Sequence, residues 1–106
     1  MKRNYFSNEV IQLIKSIPKG KVATYGQLAA FAGNPSGARQ VARILHSCSR
    51  KEELPWQRVV NRNGQISLRP GNGYETQKQI LQQEGVSFDN DDKINFDRYL
   101  WAPLSE

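Results

Sequence analysis

The chain of 106 residues has the length of one domain, and no apolar run approaches the roughly 20 residues that a membrane-spanning helix needs. A single cysteine and a single histidine exclude an internal disulfide and a Cys/His zinc site, and the N-terminal residues lack the apolar stretch of a signal peptide. The formal net charge of +5 is uneven, because residues 89–106 carry more acids than bases. A basic body with an acidic tail favours a polyanion partner, although ordinary solubilising charge is an alternative. We therefore predict a cytoplasmic protein with no metal, no other cofactor and no membrane partner.

The first predicted helix opens at Ser7, which can cap it, with Glu9 at its positive N-terminal end. Pro18 and Gly20 end it in a turn. Its apolar residues fall at helical spacing and form one stripe, Val10, Leu13, Ile14 and Ile17. We interpret this helix as scaffold.

A helix-turn-helix is predicted over about residues 24–48. Thr24 and Gln27 have the spacing of a capping box, so a short helix begins there. Gly33 and Pro35 stop it, because glycine suits a left-handed C-terminus and proline cannot continue a helix. The residues expected on its buried side are Leu28, Ala29, Phe31 and Ala32.

The second helix of this motif is expected to be capped by Ser36 and to run from Gly37 to about Cys48. The residues expected to face inward are Ala38, Val41, Ala42 and Leu45. Arg39 lies in the first turn, where a cation opposes the helix dipole, and Arg43 adds a like charge four residues on. An external anion such as a phosphate would explain both arginines, whereas an acidic partner elsewhere in the chain is the alternative for Arg39.

Two features suit the start of this helix to close contact with a nucleic-acid backbone. Gly37 and Ala38 leave that end of the helix bare, so a phosphate could approach it.

His46 and Cys48 follow near the other end of the helix. We assign neither a catalytic role, since each occurs without a partner in the sequence.

The segment 54–73 begins with Pro55 and Trp56, which by themselves suit the start of a core strand with an aromatic anchor. Asn63-Gly64 lies between two β-prone runs, residues 59–60 and 66–68, and predicts a β-hairpin. A flexible loop then spans residues 69–73, with Arg69 at its base.

The last predicted helix runs from Glu75 to Glu84, with Ile80 and Leu81 inward and Gly85 as its stop. The tail, about residues 86–106, is rich in aromatic residues. Such a terminus normally docks onto the core. The pattern predicts a mostly α fold with a small β-hairpin.

Four motifs in register resemble the DNA-binding domain of the O6-alkylguanine-DNA alkyltransferases. The resemblance covers roughly residues 5–85, and its motifs are residues 17–26 (IPKGKVATYG), 32–35 (AGNP), 38–41 (ARQV) and 55–60 (Pro, two other residues, then Arg-Val-Val). It implies a winged helix-turn-helix-like DNA-binding domain over residues 1–106, with a lesion-pocket segment at 54–73.

The chain departs from those enzymes at the reactive pair. The enzymes carry Pro-Cys-His-Arg, in which the cysteine thiolate takes the alkyl group, whereas this chain reads Pro55-Trp56-Gln57-Arg58. An indole is no nucleophile and a neutral amide is no general base under these conditions, so no catalytic residue is predicted. Glu84 resembles the acid that partners the lost histidine, and we expect it to remain as a structural hydrogen-bonding group.

The sequence is therefore similar to the alkyltransferase-like proteins, the homologues that bind O6-alkylguanine in DNA without repairing it. Many of them keep histidine after the tryptophan, so Gln57 is a further departure. The resemblance implies a monomer that flips the damaged base and directs the lesion to nucleotide excision repair proteins. It would act at the nucleoid of a bacterial cell or in the nucleus of a eukaryotic one.

The resemblance also assigns roles to individual residues. Tyr25 resembles the tyrosine that crowds the phosphate next to the lesion, and Arg39 the finger that enters the minor groove and fills the vacated stack. Trp56 and Arg69 would lie at the lesion pocket. The remaining expected contacts are Gly37, Ala38 and Arg43 for DNA, and Pro55, Gln57, Arg58 and Glu84 for support of the pocket, with Arg58 as a structural tie.

Two other functions remain open from the sequence. One is an active alkyltransferase that uses another nucleophile, for which Cys48 is the available thiol, eight residues before the expected site. The other is a helix-turn-helix transcriptional regulator that reads an operator in the major groove.

Overall fold

The computed structural model of the protein describes residues 4–103. Glu106, which the sequence places in the acidic tail, lies outside the described residues. Within the described range, the elements follow the order α1 (Tyr5–Ser16), β1 (Ala23–Thr24), α2 (Tyr25–Phe31), α3 (Ala38–Cys48), a 3-10 turn (Trp56–Arg58), β2 (Val59–Val60), α4 (Tyr74–Gln83) and α5 (Phe96–Tyr99). The mostly helical class with a small sheet is thus confirmed. None of the described helices is both long and apolar enough to span a bilayer.

Helix α1 begins earlier than the sequence predicted. Asn4 is its N-cap, and the side-chain oxygen of Asn4 accepts a hydrogen bond from the backbone N–H of Ser7 at 2.8 Å. The prediction of Ser7 as the cap was wrong, because Asn4 supplies the same kind of acceptor one turn earlier.

The capping box of helix α2 is confirmed. The Thr24 hydroxyl accepts from the Gln27 backbone N–H at 2.9 Å, and the Gln27 side chain accepts from the Thr24 N–H at 3.1 Å. The Gln27 carboxamide also donates to the carbonyl of Trp101 at 2.6 Å, which ties the C-terminal segment to this helix. Phe31, expected to be buried, is 37% exposed and meets Trp101 edge to face.

Helix α3 starts one residue later than expected and has no side-chain cap. Gly37 occupies the N-cap position, so the predicted cap Ser36 is one residue too early to serve. Gly37 is buried, and a Cβ there would lie 2.9 Å from the Phe6 ring and 3.1 Å from Asn34. The missing side chain therefore serves packing against helix α1 rather than leaving the helix end bare.

The two strands do not form the predicted hairpin. β1 pairs in parallel with β2, with Ala23 opposite Val59 and Thr24 opposite Val60. The predicted turn exists, because the Asn61 carboxamide accepts from the N–H groups of Asn63 and Gln65. Residues 66–68 nevertheless form no strand.

The turn that follows β2 is hydrogen-bonded to the C-terminal segment. The Gly64 carbonyl accepts from the Ile94 N–H at 2.8 Å, so the turn is bonded to the C-terminal segment instead of returning along β2. Gly64 has φ of 76°, and a Cβ on it would meet the Ile94 carbonyl oxygen at 2.7 Å.

Gly64→Ala should therefore lower the free energy of unfolding by about 1–3 kcal/mol, since both the left-handed backbone and the contact with Ile94 oppose a methyl group. Gly33→Ala is the matched control, because Gly33 has φ of 95° but open space around the same Cβ. Chemical denaturation of both variants measures the difference. Equal losses would contradict the role given to the close approach of Ile94.

The core has two parts. The larger one joins helices α1, α2 and α3 with Leu54 and Val59, and the smaller one lies around Val60, Leu81 and Tyr99. The C-terminal segment closes the smaller part, because Val22 donates to the Tyr99 carbonyl and accepts from the Trp101 N–H. Both parts of the core contain residues of the strand pair. The 3-10 turn that carries Trp56 immediately precedes β2, so the core fixes the end of this turn.

Candidate functional site

A cavity of about 830 Å³ lies between helix α3, the 3-10 turn and the loop before α4. It is lined by Tyr25, Ala42, Leu45, His46, Ser49, Arg50, Trp56, Val59, Ser67, Leu68, Asn72, Gly73 and Gln77. Ala42, expected to face inward, is exposed in helix α3 and contributes to this wall. A second cavity of about 620 Å³ lies among residues 87–99 and contains none of the predicted site residues.

Trp56 combines the two interpretations that the sequence left open. Its side chain is half-buried and packs against the larger core, and it also lines the cavity. Its backbone N–H donates to the Leu54 carbonyl at 2.8 Å, which turns the chain sharply after the half-buried Pro55. Tyr25 reaches the same cavity from the first residue of α2, where the capping box fixes the start of the helix.

A hydrogen-bonded group behind the cavity holds the 3-10 turn in place. Arg58 donates to both carboxylate oxygens of Glu84, at 2.9 and 3.0 Å, and to the Ile17 carbonyl at 2.8 Å. Gln57 donates to Glu84 at 2.8 Å. Arg58 is thus a structural tie between α1, the turn and the end of α4. Glu84 is the common acceptor.

The carboxyl of Glu84 titrates below its usual range. Burial alone would raise its pKa, but hydrogen bonds from Arg58 and Gln57, with the charges of Arg58 and Lys19, outweigh that effect and lower the pKa. A pKa lowered on folding stabilises the protein above the ordinary value of 4.5, and this stabilisation is lost as the pH falls through the folded value.

We therefore expect the free energy of unfolding to decrease as the pH is lowered below about 4.5. In Glu84→Gln, this decrease should become shallower, because the neutral amide does not titrate. Denaturant unfolding at several pH values measures the slopes, and Glu53→Gln at an exposed position is the control. The expectation fails if Glu84→Gln and the parent protein keep the same slope.

Gln77 is the cavity residue that sequence reasoning missed most clearly. It is 2% exposed, and its amide nitrogen donates to the carbonyls of Gln57 and Val59 at 2.9 and 3.1 Å. The available signal was its position four residues before Leu81, on the buried face of helix α4. His46 and Arg50 also line the cavity without having been predicted there, whereas Asn72 belongs to the predicted lesion-pocket segment 54–73.

The predicted DNA-contacting arginines lie outside the cavity. Arg39 and Arg43 are exposed on helix α3, and no ion pair within residues 4–103 involves either of them. Ala38 beside them is half-buried. Arg69 is exposed next to Leu68, at the cavity edge, but it is not among the lining residues.

The described residues bring few reactive groups to this site. Cys48 is half-buried and is not among the lining residues. Within residues 4–103, no three His, Cys, Asp or Glu side chains form a group that could hold a metal ion. The cavity instead offers an indole wall, a phenol, two basic side chains and neutral amides, which suit the binding of a planar polar ring.

The chain is similar to several known proteins. A family model described as 6-O-methylguanine DNA methyltransferase, DNA binding domain, matches residues 5–86. The chain is 43% identical over 100 residues to a DNA base-flipping protein of Escherichia coli (94% of this chain, 77% of that protein). It is 37% identical over 108 residues to alkyltransferase-like protein 1 of Schizosaccharomyces pombe (97% and 100%).

A solved structure has a similar fold along its whole length. The crystal structure of Atl1 from Schizosaccharomyces pombe, in complex with damaged DNA containing O6-carboxymethylguanine, superposes with a TM-score of 0.81 and 36% sequence identity. The match covers 97% of this chain and 100% of that one.

Proposed function

Because this chain belongs to the family of 6-O-methylguanine DNA methyltransferase DNA-binding domains, we propose that it binds duplex DNA containing O6-alkylguanine and holds the extruded base beside Trp56. The observation that carries the proposal is the cavity of about 830 Å³ that Trp56 and Tyr25 line beside the helix-turn-helix. Relatives named for base flipping and for alkyltransferase likeness support it, as does the complex of Atl1 with damaged DNA.

The exposed cations of helix α3 support the contact with DNA. Arg39 and Arg43 lie one turn apart, without ion pairs to any residue in 4–103, in a helix whose first turn disfavours a cation. Phosphates would stabilise both side chains. In this proposal Arg39 also enters the base stack, where its guanidinium offsets part of the extrusion cost.

We propose further that the alkyl group stays on the base. By its resemblance to the enzymes, Trp56 stands where they carry the alkyl-acceptor cysteine, and Gln57, which donates to Glu84, is a neutral amide that cannot activate a nucleophile. A lesion that is bound and not repaired must pass to another system. We therefore propose nucleotide excision repair proteins as partners of a monomeric protein acting where the genomic DNA lies.

Fluorescence anisotropy with two otherwise identical duplexes, one containing O6-methylguanine and one containing guanine, tests the proposal. We expect tighter binding of the lesion duplex, and weaker binding of both duplexes as salt is raised, because phosphate contacts release counterions. Mass spectrometry of the protein after incubation should show no added methyl group.

Equal affinity for the two duplexes would refute the proposed function. A methyl group found on the protein would instead support transfer, and peptide mapping would show whether Cys48 carries it. A preference for one undamaged sequence over the lesion would favour a transcriptional regulator.

A further inference from the structure

The acidic turn of the C-terminal segment, residues 89–93, holds one carboxylate against helix α4. Asp92 accepts a hydrogen bond from the Tyr74 hydroxyl at 2.6 Å and another from the Lys78 ammonium at 2.9 Å. Tyr74 and Lys78 lie one turn apart, so both donors leave the same face of α4. The bond to Asp92, together with burial, raises the pKa of Tyr74 to about 12.

This turn presents Asp92 from a closed backbone. The Asp89 carboxylate accepts from the N–H groups of Asp91 and Lys93, at 2.8 and 2.9 Å, and the Asp89 N–H donates to the Lys93 carbonyl at 2.9 Å. Asp92 has φ of 57°, a left-handed conformation that aspartate tolerates better than most residues. The carboxylate of Asp92 is therefore carried by a fixed turn.

The first turn of α4 depends on contacts from outside the helix. Gly73 occupies its N-cap position and has no side chain that could accept from the first N–H groups. The buried residues of the helix, Gln77 and Leu81, lie further along it. Asp92 bonds to Tyr74, the first residue of α4, and so ties this uncapped end to the C-terminal segment.

The loop before α4, residues 69–73, is bonded to that same first turn. The Glu75 carboxylate accepts from the Gly71 N–H at 2.9 Å, and the Tyr74 N–H donates to the Arg69 carbonyl at 3.4 Å. Because these bonds join the loop to the end of the helix, a displacement of the first turn of α4 would displace the loop.

The same loop forms part of the cavity wall. Asn72 and Gly73 line the cavity together with Leu68. A Cβ on Gly73 would lie 2.8 Å from Leu68, so these two residues are in close contact. Asp92 is not among the lining residues, and its effect on this wall is therefore transmitted through the donors of α4.

We propose that Asp92 is a positioning residue for the lesion cavity, because it holds Tyr74 and thereby fixes the loop wall before a base enters. A wall that is already ordered costs less to close around an extruded base. Undamaged duplex that keeps its bases stacked does not use the wall. This inference rests on the proposed function, since it assigns to the acidic C-terminal segment a part in shaping the same site.

Tyr74→Phe tests the contact with the smallest change, because it removes the hydroxyl and keeps the ring. The ratio of affinities for duplexes containing O6-methylguanine and guanine should fall about three- to tenfold, which is the usual contribution of one hydrogen bond. Tyr5→Phe is the matched control, because it removes the hydroxyl of an exposed tyrosine in α1 and should keep the ratio.

Asp92→Gly removes the acceptor from the other side. Glycine adopts the left-handed backbone without strain, so the turn itself is not opposed. The ratio should fall at least as far as in Tyr74→Phe, because the bond from Lys78 is lost as well. Asp91→Gly, at the exposed neighbouring position, removes the same charge and should keep the ratio. A general gain in attraction to DNA raises both affinities and cancels in the ratio.

Amide hydrogen exchange separates positioning from general stability. In Tyr74→Phe, the N–H groups of Gly71 and Tyr74 should exchange faster, because both are bonded where the loop joins α4. The Val41 N–H, bonded at the start of α3, should keep its rate. Circular dichroism and thermal unfolding check that each variant is folded at the temperature of the binding assay.

The outcomes are distinct. If the parent protein prefers O6-methylguanine but folded Tyr74→Phe keeps the full preference, the role of Asp92 is refuted and the proposed function stands. If Asp91→Gly lowers the ratio as far as Asp92→Gly, or if exchange of the Val41 N–H accelerates by the same factor as that of the loop, the contact is no specific positioner and the inference is refuted. If the parent protein binds both duplexes equally, the proposed function itself fails.

Discussion

Arg58→Ala should lower the free energy of unfolding by about 3 kcal/mol, at the lower end of the range for a broken buried ion pair. The side chains of Arg58 and Glu84 are 17% and 9% exposed, so removing the arginine leaves a nearly buried carboxylate without its cation. The Ile17 carbonyl loses a donor at the same time. Urea denaturation followed by circular dichroism measures the loss.

Arg62→Ala is the matched control, because Arg62 lies exposed in the turn after β2. That change should alter the stability by less than about 0.5 kcal/mol. If Arg58→Ala were as mild, the ion pair would contribute little to the fold, and the 3-10 turn would be held by Trp56 packing and by the hydrogen bonds that Gln57 and Gln77 donate.

Arg39→Ala should reduce the preference for O6-alkylguanine DNA by about thirtyfold, equivalent to roughly 2 kcal/mol of lost stacking in the opened duplex. The free energy of unfolding should hardly change, because Arg39 is exposed and forms no ion pair within residues 4–103. Titration of lesion-containing and undamaged duplexes at one salt concentration gives the ratio of affinities.

Arg43→Ala separates the two ways in which an arginine of α3 could act. A phosphate contact does not depend on the lesion, so Arg43→Ala should weaken binding to both duplexes by a similar factor and leave their ratio unchanged. If Arg39→Ala behaves in the same way as Arg43→Ala, then Arg39 is a phosphate contact and does not fill the stack.

The helix-turn-helix could be predicted from sequence because its signals are local. The capping box joins Thr24 to Gln27, and Gly33 ends the helix through its own backbone conformation, with φ of 95°. Asn63-Gly64 likewise predicted a turn. This local signal could not predict that β1 pairs with β2, because strand pairing depends on contacts between distant parts of the chain.

The cavity was less accessible to sequence reasoning for the same reason. Trp56 and Tyr25 were predicted through resemblance, whereas a glutamine on a helix is typical of a solvated surface. The burial of Gln77 depends on the carbonyls of Gln57 and Val59, which the packing of α4 against the 3-10 turn brings within reach. No pattern within α4 alone contains that information beyond its spacing from Leu81.

The parallel pairing of β1 with β2 has a consequence for the order of folding. Helices α2 and α3 are close in sequence and can associate early, whereas the strand pair must close a loop that contains both of them. The wall formed by Val59 and Gln77 is complete only after that closure. A change that weakens the strand pair should therefore impair discrimination between bases more than attraction to DNA, because the cations of α3 are exposed on the helix itself.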